Sequence, residues 1–137
     1  MPLKGPNRVN LNVHVNVNEK SSKTKLLSHE KLEVYQCAIE FLALSAKILD
    51  ALPRGNSAFS EQLKRPALSI PLNIAEGAGR PNEQEKERFY GIARGSAMEC
   101  AAILDAGRVL QIVDANLIQE GKILIFRVVS MLSRMCR

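Results

Sequence analysis

The chain has 137 residues, 46% of them apolar, with 4% aromatic and no tryptophan. That is enough to bury one sizeable core, and no apolar run reaches the roughly 20 residues of a membrane-spanning helix. The net charge of +5 is uneven: residues 1–29 hold five basic groups and one acid, residues 30–137 hold fourteen and thirteen, so the body of the chain lacks the basic excess of a strong nucleic-acid binder.

Three cysteines, Cys37, Cys100 and Cys136, are odd in number and far apart. They fit reduced thiols packed as small apolar residues rather than a disulfide frame. His14 and His29 have no Cys or His at ligand spacing, so no metal site or other cofactor is expected. The first residues carry prolines and asparagines where a signal peptide needs an apolar stretch, so the expected compartment is the cytoplasm.

In chain order, residues 9–18 read VNLNVHVNVN, the strict alternation of a half-buried strand. Nothing else in the chain offers it a partner strand. The segment is therefore either disordered or paired with its counterpart in another subunit. A polar linker follows, and residues 1–28 form an arm separate from a helical domain at 29–137.

The first helix is expected from a cap at Ser28 to about Leu52. Leu32, Tyr35, Ile39, Leu42, Ala46 and Leu49 recur at three and four residues and predict its apolar face. Residues 53–56, PRGN, break it. The second helix runs from Ser57 to Glu76 or slightly beyond, with Pro66 and Pro71 inside favouring a bend or a break. At roughly 100° per residue it has two apolar faces, Leu63/Ala67/Ile70/Ile74 and Leu68/Leu72/Ala75. Between them runs a polar seam of Ser69, Asn73, Glu76 and Arg80. Such a seam is either a solvated face with one i,i+4 ion pair or a polar network between helices or subunits.

The third helix starts after an Asn82 cap, with Glu85 as the second half of a capping box. Phe89, Ile92, Ala93, Ser96, Cys100, Ile103, Leu104, Gly107 and Leu110 share its expected core face, while Met98, Ala102 and Val109 lie opposite. Gly91, Gly95 and Gly107 each cost about 1 kcal/mol against alanine in a helix interior, which predicts close approach by another helix. The fourth helix follows an Asp114 cap. Its core stripe is Leu117, Gly121, Leu124, Ile125, Val128, Leu132 and Met135, and Ile123 and Phe126 point elsewhere. Four amphipathic helices with short joins predict an all-α, antiparallel up-and-down four-helix bundle. The outward apolar residues predict subunit contacts.

Two segments, ALSIPLNIAEGAGR at 67–80 and ERFYGIARGSAMEC at 87–100, resemble a family. It is that of the bacterial four-helix-bundle proteins first noticed as reading frames inside intervening sequences of 23S ribosomal RNA genes. The resemblance runs from about Val34 to Leu132. It implies a small cytoplasmic bundle that forms rings, pentamers in some members, with no catalytic activity. It also implies similarity to accessory proteins of diversity-generating retroelements, pentamers that bind RNA and a reverse transcriptase. The arm at 9–18 departs from the family pattern.

The residues themselves offer no nucleophile–base pair and no phosphate loop, and GAGR follows no strand, so it is no dinucleotide fingerprint. An enzyme is not expected. Two binding readings remain. An RNA-associated homo-oligomer would use Arg80, Arg88, Arg94, Lys122, Arg127 and Arg134. A protein-interaction scaffold would use Asn73, Glu76, Arg80, Arg94, Ser96 and Glu99 as a structural network between helices or subunits.

Overall fold

The computed structural model describes residues 25–136; the alternating segment at 9–18 lies outside them. A 3-10 turn at Ser28–Lys31 leads into four helices: α1 (Glu33–Asp50), α2 (Ser57–Ala78), α3 (Glu83–Val109) and α4 (Ala115–Met135). Each packs on the next, and α4 closes the ring on α1. Side-chain pairs fix the directions. Going up α2 from Arg65 to Ser69 means going down α3 from Glu99 to Ser96. The same reversal relates Arg94–Ser133 to Asp105–Lys122 between α3 and α4. All sequential neighbours are thus antiparallel, and the bundle is up-and-down.

Helix starts follow local chemistry with two corrections. The first helix begins at Glu33, not after Ser28. Leu32 is extended (φ −83°, ψ 130°), which separates the helix from the preceding turn. The Leu27 N–H of that turn donates to Glu30 Oε1 at 2.9 Å. Asn82 caps α3 as expected, its Oδ1 accepting from the Glu85 N–H at 2.8 Å. Asp114 stands at the cap position of α4 but accepts no side-chain capping bond. Helix α3 ends where Gln111 turns left-handed (φ 60°) and the Ile112 N–H reaches back to Gly107 O at 3.1 Å, a Schellman closure.

Pro66 and Pro71 neither break α2 nor leave the core; both are buried inside a continuous helix. The lost backbone bonds are offset by tertiary packing rather than by local propensity. On α2 the face Leu63/Ala67/Ile70/Ile74 is fully buried, while Leu68 and Leu72 stay exposed. On α1 the core is built from Val34, Cys37, Ala38, Phe41, Leu44, Ser45 and Ile48. The face expected from the sequence, Leu32 through Leu49, packs only at its edge. Helix α1 has two apolar faces, and the spacing pointed to the outer one.

Helix α3 corrects two further expectations. Ile92 and Leu110 are exposed instead of joining the core. Only Gly107 of the three glycines meets a neighbour, since a Cβ there would lie 2.8 Å from Val113 Cγ2 and 3.0 Å from Phe59 Cζ. Gly91 and Gly95 face open space. We expect Gly91→Ala and Gly95→Ala each to stabilise a single bundle by about 0.5–1 kcal/mol, because alanine loses less backbone entropy in a helix. Urea unfolding of dilute protein measures this.

Candidate interaction site

The polar seam of α2 meets α3 along the α2–α3 interface. At its centre Ser96 Oγ donates to Ser69 Oγ at 2.8 Å, and Asn73 Nδ2 donates to Ser69 Oγ at 3.0 Å and to Ser69 O at 2.9 Å. The i,i+4 spacing of Ser69 and Asn73 puts both on one side of α2. Toward the α2–α3 turn, Arg80 bonds Glu76 and lies 3.8 Å from Glu85 Oε1. Glu85 is thereby drawn to Arg80, and of the capping box only the Asn82 bond forms.

The Arg80 guanidinium also stands 4.8 Å from the centre of the Phe89 ring, and that of Arg88 stands 4.5 Å from it. A ring quadrupole attracts cations at such range. Lys86 Nζ donates to Ala78 O at 3.1 Å and to Gly77 O at 3.5 Å, supplying positive charge where the α2 dipole ends negative.

The six residues expected to form one network form several smaller ones. Asn73 and Ser96 join through Ser69. Glu76, in the last turn of α2, pairs with Arg80 just beyond it. Glu99 bonds Arg65 at 3.0 Å, and Arg94 turns away from α2 to donate from Nε to Ser133 Oγ at 2.8 Å on α4. These exposed pairs are each worth under about 1 kcal/mol. Lys86 and Arg65 were not picked out by the sequence. Their partners lie on another helix, so no i,i+4 pattern marks them.

The basic residues considered for RNA are largely engaged. Lys122 bonds Asp105 at 2.6 Å, and Arg127 bonds Glu33 at 3.3 Å. The bond from Lys122 also holds the Asp105 carboxyl below its usual range. Arg88 and Arg134 are exposed. The paired cationic groups thus lie on the α2–α3, α3–α4 and α1–α4 sides of the bundle rather than in one groove.

Cys37 and Cys100 are buried, and loss of hydration pushes their thiols up to about 11 and about 12. Cys37 Sγ donates to Leu124 O at 3.6 Å. Burial also raises Cys136, against the lowering effect of Arg94. Thiols in this state are protonated at neutral pH and poor nucleophiles. The folded state binds these protons more tightly than the unfolded chain does. Their contribution to stability is therefore complete below pH 9 and declines as pH rises through about 11–12. Denaturant midpoints at pH 8 and pH 10.5 test this, with Cys100→Ala expected to flatten the decline.

Among the described residues no group of His, Cys, Asp and Glu is arranged to hold a metal ion, and no helix is long and apolar enough to cross a membrane. Outward from the bundle stand Leu68 and Leu72 on α2, Met98 on α3, and Ile123 and Phe126 on α4. No curated protein sequence matches the chain. A family model described as 23S rRNA-intervening sequence protein matches residues 30–134. That match spans the bundle from the turn before α1 to the last turn of α4, and the chain belongs to this family of 23S rRNA-intervening sequence proteins.

Proposed function

We propose that this protein works by binding rather than by catalysis, as a subunit that assembles with further copies of itself. The observation that carries the reading is Phe126, 73% exposed on α4 beside Ile123 at 55%. A lone exposed apolar residue needs no explanation, but these two continue a set on α2 and α3 whose burial requires a partner. Exposed faces on three different helices favour a contact between unlike surfaces, which closes into a ring.

A second reading, RNA association by the assembled protein, is favoured by the corner where Arg80 and Arg88 flank Phe89. One ring with two guanidiniums offers cation and aromatic surface together, the pairing that serves single-stranded nucleic acid. Repetition in a ring would multiply the modest charge of each copy.

Light scattering with absorbance at 260 nm tests both. We expect a mass several times that of one chain, reduced by Phe126→Asp without loss of helical circular dichroism. A monomeric wild-type protein would remove the first reading. RNA retention at ~50 mM salt, fading as salt rises and weakened by Arg88→Ala, is expected from the second. Absence of retention at that salt would leave a scaffold that binds protein only.

A further inference from the structure

The outer face of α1 that the core does not use forms one wall of a groove against α2. Ile39, Leu42, Ala46 and Leu49 of α1 and Ala67 of α2 line it, and it encloses about 350 Å³. The charged residue at its rim is Lys64, which is exposed. Ile39 and Leu49, at its two ends, stand about 15 Å apart along the helix axis at 1.5 Å per residue.

The preceding chain arrives at the Ile39 end. The 3-10 turn at Ser28–Lys31 packs on α2 as well as on α1, so the chain enters α1 from the seam that holds the groove. Leu27, just before the turn, is 65% exposed. Residues 1–24 lie outside the described residues. Among them, the alternation at 9–18 puts Val9, Leu11, Val13, Val15 and Val17 on one side, with asparagines and His14 on the other. The same segment contains no Asp, Glu, Lys or Arg.

We propose that residues 9–18 dock in the α1–α2 groove of their own chain, with Val13, Val15 and Val17 against the outer face of α1 and the asparagines toward water. The lengths agree. Val13 to Val17 covers about 13 Å at 3.3 Å per residue, close to the length of the groove. Residues 18–24 bridge up to about 23 Å when extended, and Ile39 lies only about 9 Å along α1 from Glu33. The chemistry agrees as well. An uncharged segment that is apolar on one side covers an apolar wall without burying a charge, and its asparagine amides stay hydrated. Tethering favours this occupant over a second copy, because a short linker holds the segment at a roughly millimolar effective concentration. The inference does not rest on self-assembly.

Methyl NOEs in the full chain test it. With valine, isoleucine and leucine methyls labelled, contacts are expected from Val15 and Val17 to Ile39 and Leu42. When chains labelled separately at valine and at isoleucine are unfolded and refolded together, the valine–isoleucine contacts of the arm should be absent, because each arm fills its own groove. Val13→Asp with Val15→Asp should remove the contacts and lower the melting temperature by about 5 °C. Asn12→Asp with Asn16→Asp adds the same charge on the opposite side and should change neither. Ala46→Glu should also remove the contacts with helical circular dichroism retained, and the valine pair should then cost nothing further.

The proposal is overturned if the wild type shows no arm contacts, or if the valine and asparagine pairs lower the melting temperature equally. Arm contacts in the mixed sample would seat the segment in a neighbouring copy and overturn docking within one chain. Mass read on the same samples keeps assembly separate. A mass changed by Ala46→Glu, in a protein whose wild type lacks arm contacts, would assign the groove to a second copy.

Discussion

Phe41→Ala is expected to lower unfolding stability by about 3–5 kcal/mol, the usual cost of emptying an aromatic site in a packed core. Phe41 is completely buried, and its Cε1 lies 3.4 Å from where a Cβ on Gly121 would stand. With Leu104, whose Cδ1 would lie 2.8 Å from the same point, it lines the space that glycine leaves in α4, and no side chain at 121 can collapse into the hole. A domain of this size has roughly 5–15 kcal/mol of stability in total, so the variant should be marginal at room temperature. Urea unfolding followed by circular dichroism measures the loss. Ile39→Ala is the control, because Ile39 lies on the outer face of the same helix and only partly packs. It should cost distinctly less, nearer 1–2 kcal/mol, since only part of its apolar area leaves water on folding. Equal losses would mean that the two faces of α1 share the core evenly.

That comparison bears on what the sequence could disclose. The number of helices, their order and their breaks were legible, because Pro53, Gly55 and Asn82 punctuate the chain and each helix carries a strong 3.6-residue period. The choice of face was legible only where one face is apolar. Helix α4 has a single broad stripe, and Gly121, Ile125, Val128 and Leu132 are buried on it as the spacing predicts. Helix α1 has two apolar faces. Spacing alone favoured the outer one, and the decision is made by packing against α2 and α4. Ile92 failed for a related reason. It lies between Tyr90 and Ala93 in the chain, and those two are buried while Ile92 is exposed.

The candidate site was legible as a stripe and not as a set of partners. Ser69 and Asn73 are neighbours on one helix and could be paired from spacing alone. Glu99 was placed with them because it lies nearby on α3, yet it bonds Arg65, one turn away from Ser69 along α2. Arg94 points to α4 and Ser133. Interhelical partners depend on rotation and axial shift between helices, and a single sequence does not state either. The apolar residues pointing outward were easier. Met98, Ile123 and Phe126 fell off the core stripe by angle, and all three are exposed.

Gly77→Val is expected to cost about 3 kcal/mol, the upper part of the range for forcing extra volume into a packed interior. Gly77 closes the IPLNIAEG segment and is buried against α3. A Cβ there would lie 2.7 Å from Cε1 and 2.9 Å from Cδ1 of Tyr90, and 3.2 Å from Phe89 Cβ. The Tyr90 ring is rigid and itself buried, so it cannot yield as the tip of a leucine would. Alanine shows two opposing effects. Its helix propensity favours Gly77→Ala by about 1 kcal/mol, and the clash opposes it, so a net loss reveals the contact. Smaller side chains at 90 should relieve the strain. In the double-mutant cycle of Gly77→Ala with Tyr90→Ala, the loss from Gly77→Ala should vanish or turn into a gain, giving a coupling of about 1–2 kcal/mol. Gly91→Ala, facing open space on the same pair of helices, should show no coupling to Tyr90. A destabilising Gly77→Ala that persists with alanine at 90 would place the glycine's role in the backbone of the α2 terminus rather than in the approach of α3.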